Sequence, residues 1–249
     1  MNYRLTLQYD GTEFHGWQVQ SGERTVQGEL ARVLKLLEGD EVVVHGAGRT
    51  DAGVHAEGQV ASVRLGREIG PERLRAALNG NLPRDVRVME AGVAGEDFHA
   101  RYSARGKTYV YRIANAPVMS PFLTRYALHE ARALDTGRMQ VAARLFIGEH
   151  DWTAFSAAQS EARTRVRTVT GLEVTETVDA RARGRLIEIK ASADGFLRYM
   201  VRSIAGTLLA AGRGEMDEGT ITRAIDTGDR SLAGATAPAH GLTLLKVHY

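Results

Sequence analysis

Apolar and polar positions alternate from the start of the chain. Tyr3, Leu5, Leu7 and Tyr9 are separated by Arg4, Thr6 and Gln8, a period of two that predicts a strand ended by Asp10-Gly11. The next stretch, Thr12 to Gly22, is polar apart from residues such as Phe14 and Trp17 and reads as a long loop. Thr25 is placed to cap a helix. Val26, Leu30, Val33, Leu34 and Leu37 follow at helical spacing as far as Gly39. Two apolar runs, Val42-Val43-Val44 and Gln59 to Leu65, predict strands on either side of a glycine-bearing loop. Pro71 opens a second helix with Leu74, Ala77 and Leu78 on one face, and Val86 to Met89 closes the half as a strand.

The order is β-α-β-β-α-β, the ferredoxin-like arrangement. The second half reads the same way. A strand over Thr108–Ile113 is followed by a helix over Leu134–Ile147. Strands over Val166–Val178 and Leu186–Ala193 flank a basic hairpin, Arg181 to Arg185. A helix over Phe196–Ala211, a short one near Gly219–Ile225 and a strand over Leu242–Val247 complete the chain. The fold class predicted is α+β, with residues 1–104 and 105–249 as two domains joined near Ala104-Arg105-Gly106. Open antiparallel sheets of this kind serve single-stranded RNA, where aromatic residues stack on bases, but also many unrelated functions.

Composition narrows the chemistry. With 43% hydrophobic and 25% charged residues, the chain of 249 residues is that of an ordinary globular protein. It has no cysteine, which removes disulfides, thiolate nucleophiles and cysteine-held metals. No signal sequence or membrane-spanning apolar run is seen, so the expectation is a cytoplasmic protein. A net charge of +2 does not by itself establish a nucleic-acid partner. Lysine occurs only at Lys35, Lys107, Lys190 and Lys246; every other basic side chain is arginine, the residue suited to bidentate phosphate contact and stacking. Compositional bias accounts for that preference equally well. No His-Glu-x-x-His occurs, so no metal is expected, and no Gly-x-Ser-x-Gly supports a Ser-His-Asp triad.

The stretch between the central runs carries the chemistry. Gly46 to Ala56 holds three glycines and one acidic residue, Asp51, with Arg49 two residues away. Glycines can hold such a loop in a defined shape. A plain surface turn, a phosphate cradle and a catalytic carboxylate are the three readings. The cradle lacks both the third glycine of Gly-x-Gly-x-x-Gly and a Gly-Lys-Ser/Thr.

Gly48-Arg49-Thr50-Asp51-Ala52-Gly53-Val54-His55-Ala56 resembles the signature of the TruA family of tRNA pseudouridine synthases. Other stretches extend the resemblance over nearly the whole chain in the same order. They are Tyr9-Asp10-Gly11 through Gln20, Lys107-Thr108-Tyr109-Val110-Tyr111, Met200-Val201-Arg202 and Thr236 to Leu244. Thr243 departs from the pattern, standing where that family often has an aromatic residue. The resemblance implies the pseudouridine synthase fold: two halves with mostly antiparallel sheets flanking a central cleft. It implies Asp51 as nucleophile, attacking ribose C1′ or uracil C6 or acting first as a base, with Arg202 as its ionic partner. It implies Tyr109 against the target base, with Tyr111 the weaker candidate, and Arg49 against the flipped nucleotide or as a brace for the loop. It places Phe98, His99, Ala100, Arg101 and Tyr102, and Gln159, Ser160, Glu161, Ala162 and Arg163, in contact with tRNA. It further implies a homodimer acting on uridines 38, 39 and 40 of the anticodon stem-loop, without a cofactor. Two rivals from other classes are a non-catalytic RNA-binding protein with two open-sheet modules and an aspartate-dependent hydrolase of small molecules.

Overall fold

In the first unit, Met1–Arg105 with Leu244–Tyr249, the opening alternation becomes β1 (Asn2–Tyr9), with Tyr3, Leu5, Leu7 and Tyr9 buried. α1 (Val26–Glu38) begins where the Thr25 hydroxyl accepts from the Gly28 N–H and ends at Gly39, φ 83°. The hydroxyl serves an amide that has no partner inside the helix, and glycine turns left-handed without a Cβ clash. β2 (Val44–Gly46), β3 (His55–Arg64), α2 (Pro71–Asn81) and β4 (Val86–Val93) follow. β1 pairs antiparallel with β3 on one side and β4 on the other, and β2 pairs antiparallel with the end of β3. The order β4-β1-β3-β2 is ferredoxin-like. α1 buries Val26, Leu30, Val33 and Leu34, and α2 buries Leu74 and Leu78. Residues Leu244–Tyr249 return to this unit. The Leu245 carbonyl lies so close to Gly58 that any Cβ there would collide with it. The Arg105 N–H donates to the His248 carbonyl at 2.8 Å, and the Tyr249 hydroxyl to the Ala100 carbonyl at 2.8 Å.

The second unit, Gly106–Thr243, holds β5 (Gly106–Asn115), β6 (Leu128–Glu130), α3 (Thr136–Arg144), β7 (Gly148–Asp151), β8 (Val166–Asp179), β9 (Gly184–Ala193), α4 (Met200–Gly212), α5 (Glu218–Thr227) and the start of β10 (Leu242–His248). Its strand order is β5-β9-β8-β7, all antiparallel, with β6 parallel to β5 and the first residues of β10 on the free side of β5. With β5, α3, β8, β9, α4 and β10 this is the same β-α-β-β-α-β plan. α4 is buried all round except at Arg202, as a helix at the heart of a core must be.

The computed structural model describes residues 1–159, 163–181 and 183–249. Ser160, Glu161 and Ala162, expected in RNA contact, lie outside the described residues, as does Ala182 in the basic hairpin. Four element starts differ from the expectations above. β2 begins at Val44, not Val42, and β3 begins at His55, four residues before Gln59, because Tyr9 pairs with Ala56. α3 starts at Thr136, where the Asp135 carboxylate accepts from the Arg138 N–H, and not at Leu134. α4 starts at Met200, not Phe196, because Tyr199 takes φ 67°. Arg198 and Arg202 therefore do not share a helical face.

Candidate active site

The loop that carries Asp51 is shaped by the polar segment after β1. The Trp17 N–H donates to the Thr50 carbonyl at 3.0 Å, and the Gly53 N–H to the Phe14 carbonyl at 3.3 Å. Within the loop the Val54 N–H donates to the Asp51 carbonyl at 3.1 Å. Gly16 has φ 86°, and a Cβ there would lie 2.5 Å from the Thr50 oxygen. A Cβ on Gly11 would collide with the Val54 carbonyl. Two backbones lie against each other with no room for side chains between them, which holds residues 50–54 in one shape. Asp51 is half-buried rather than buried, Thr50 is buried and Arg49 is exposed, with its Nε donating to Gln18 Oε1 at 3.2 Å. His55 is buried at the loop's end. Its Nδ1 accepts from the Gly11 N–H at 2.9 Å and lies 3.2 Å from the Asp10 carboxylate.

The second unit presents aromatic and basic groups together. Tyr109 on β5 is 7% exposed, and its ring meets Phe196 edge-on at 5.2 Å. Tyr111, two residues on, is a core residue. Its hydroxyl donates to the Pro238 carbonyl at 3.0 Å, and burial pushes its phenol well above the ordinary value, against the pull of the Arg202 charge. Arg202 is the one residue of α4 that is not buried. Its Nε donates to the Ala237 carbonyl at 2.7 Å, and its guanidinium lies 4.9 Å from the Tyr199 ring. Arg198 lies 4.8 Å from the same ring. Tyr199, a bulky residue in left-handed conformation between two arginines, was not singled out from the sequence, where nothing marks its backbone angle.

The segment before the linker is only partly available to a partner. Ala100 is buried, with its N–H donating to the Ser62 hydroxyl at 3.0 Å, so its side chain is not open to a partner. The His99 ring packs at a tilt between those of His45 (4.5 Å) and Tyr102 (4.4 Å), and Tyr102 is 78% exposed. Burial and then the His45 charge lower the His99 pKa, which favours the neutral ring. Phe98 and His99 line a cavity of about 520 Å³ with Asn2, His45 and Ser62. Arg101 is exposed with its guanidinium 5.9 Å from Tyr102, and Gln159 and Arg163 are exposed. Arg165 donates to Ala158 at 2.6 Å and ties its own loop together. Among the described residues, no three His, Asp or Glu side chains converge as a metal would require, and no helix is long and apolar enough to cross a membrane.

The model of a family described as tRNA pseudouridine synthase matches residues 6–103 and 142–249, most of the chain. Fold and motif thus define the class as that of the pseudouridine synthases, which are isomerases. The relatives give the narrower placement. A tRNA pseudouridine synthase A of Ruminiclostridium cellulolyticum is 43% identical over 246 residues, covering 99% of this chain and 98% of the relative. Those of Bacillus subtilis (42% over 251 residues, 100% and 99%) and Shouchella clausii (45% over 244 residues, 98% and 91%) are similar. The chain belongs to the tRNA pseudouridine synthase family.

Proposed function

We propose that this protein isomerises uridine to pseudouridine at positions 38, 39 and 40 of the tRNA anticodon stem-loop, with Asp51 as the nucleophile. The supporting observation is the bracing of the Asp51 loop by Gly11, Gly16 and Trp17, which holds a half-buried carboxylate in a fixed place. The C1′–N1 bond breaks, the uracil turns, and a C1′–C5 bond forms. The C5 proton leaves to water and N1 gains one, so no atom is lost and no cofactor is called for. The target base leaves its stack at a cost of a few kcal/mol, and contact with Tyr109 returns about 1–3 kcal/mol of it. Arg202 is the second catalytic residue of this reading, and Arg49 holds the flipped nucleotide. Phe98, His99, Arg101, Tyr102, Gln159 and Arg163 contribute to tRNA capture. The working form is a cytoplasmic homodimer.

The test is tritium release from tRNA labelled at uracil C5. Wild type releases tritium, and Asp51→Asn releases none while its tRNA affinity stays near wild type. Turnover by Asp51→Asn removes the nucleophile assignment. Tyr109→Phe keeps most of the rate and Tyr109→Leu loses more; equal rates remove the role of the ring. Binding without release from any tRNA favours the non-catalytic RNA-binding reading.

A further inference from the structure

Gln59 is fully buried on β3, beside Val60, Ala61 and Val63. A buried amide group left without a partner is destabilising, and an apolar side chain of like volume would fill the space without that demand. Packing therefore does not explain the residue. Its hydrogen bonds lead to the Asp51 loop. Gln59 Nε2 donates to the Gly48 carbonyl at 2.9 Å and to the Tyr9 phenol oxygen at 3.4 Å, while Oε1 accepts from the Val60 N–H at 3.2 Å. The opposite amide orientation would set oxygen against the Gly48 carbonyl, so the bonding partners select this one. The Tyr9 oxygen lies 2.9 Å from Thr50 Oγ1. Either hydroxyl can donate in this bond. Burial pushes the Tyr9 phenol up to about 12, against the bonds to Thr50 and Gln59, so it stays protonated and able to hydrogen-bond. Tyr9 and Thr50 are 5% and 6% exposed. The loop is thus fastened at Gly48 and at Thr50, the residue immediately before Asp51.

We propose that Gln59, Tyr9 and Thr50 form a buried positioning network that sets where the Asp51 carboxylate stands, governing the rate of the chemical step rather than tRNA capture. The proposal rests on the reading of Asp51 as nucleophile. None of the three touches substrate, and they act through the loop. A displacement of about 1 Å at a reacting group can slow a reaction roughly 100-fold.

The experiment measures kcat and KM by tritium release, with thermal unfolding in parallel, on the full chain. Tyr9→Phe and Thr50→Val are each expected to lower kcat at least about tenfold with KM changed less than about twofold. Thr50→Ser, which keeps the hydroxyl, restores the rate. The Tyr9→Phe/Thr50→Val double variant is no slower than the worse single one, since both remove the same bond. Gln59→Leu lowers kcat in the same way; where it also loses thermal stability, Tyr9→Phe, which removes one hydroxyl and no packing, decides. Wild-type kcat in Tyr9→Phe and Thr50→Val, a loss carried by KM, additive losses in the double variant, or a Thr50→Ser defect equal to that of Thr50→Val each overturns the network. Asp51→Asn is run alongside. An active Asp51→Asn removes the nucleophile reading on which the network depends, whereas an inactive Asp51→Asn beside unaffected network variants removes the network alone.

Discussion

Gly16 offers the sharpest single-residue test. Adding one carbon there places it 2.5 Å from the Thr50 oxygen on a backbone at φ 86°. The left-handed conformation alone costs a residue with a Cβ about 1–2 kcal/mol. Gly16→Ala is expected to lower the urea midpoint by at least that equivalent and to reduce tritium release, because the atom it strikes belongs to the Asp51 loop. Gly22, at φ 77° with nothing within 4 Å, is the matched control: Gly22→Ala carries the backbone strain without the collision and should leave the rate unchanged. Asp51, Arg49 and Tyr109 were legible as candidates through motif resemblance. The partners that hold Asp51 in place were not. Gln59 reads as one polar letter in an apolar run, and only the three-dimensional meeting of β1, β3 and the loop shows what it bonds.

At the scale of elements, helices with chemical stops were read closely. Thr25 and Gly39 bracket α1 as expected, and Pro71 opens α2. α4 was misread at its start because apolar periodicity runs through Phe196 and Leu197, while a single backbone angle at Tyr199 breaks the helix. The short strands β6 and β7 leave no signal in the sequence, since three or four residues carry no measurable period. β6 nevertheless ends in a node. Glu130 is 8% exposed, with Arg132 Nε and Nη2 each 3.0 Å from its oxygens and Arg213 Nη1 at 3.2 Å. Burial works to raise its pKa, but the Arg132 bonds and both arginine charges outweigh it and leave the carboxyl below its ordinary value. A depressed folded-state pKa gives stability that is present above the unfolded value of about 4.3 and is lost as pH falls through the folded one. Glu130→Gln is expected to cost about 1–3 kcal/mol at pH 7 in chemical denaturation, with the gap from wild type closing below about pH 4.3.

For the whole molecule, the mild net charge of +2 makes tRNA capture a matter of local arginines. Arg101 and Arg163 are exposed and suit the test better than Arg165, whose loss would also loosen its loop. Replacing either by alanine should weaken binding and reduce the slope of log affinity against log salt by about one. An unchanged slope would remove that arginine from the phosphate contacts, and sedimentation of the same samples tests the homodimer. The two ferredoxin-like halves were visible in the order of periods, but the destination of the last residues was not. β10 gave the right length and pattern for a strand without any sign that Leu244–Tyr249 belongs with Met1–Arg105. That return has a consequence in time. A ribosome emitting about 5–20 residues per second leaves an interval on the order of ten seconds between Arg105 and Leu244. Throughout it, the place beside Gly58 and the partners of His248 and Tyr249 stand open. The half that bears Asp51 therefore waits on residues made long after its own, and no nascent chain that stops short of Leu244 holds it whole.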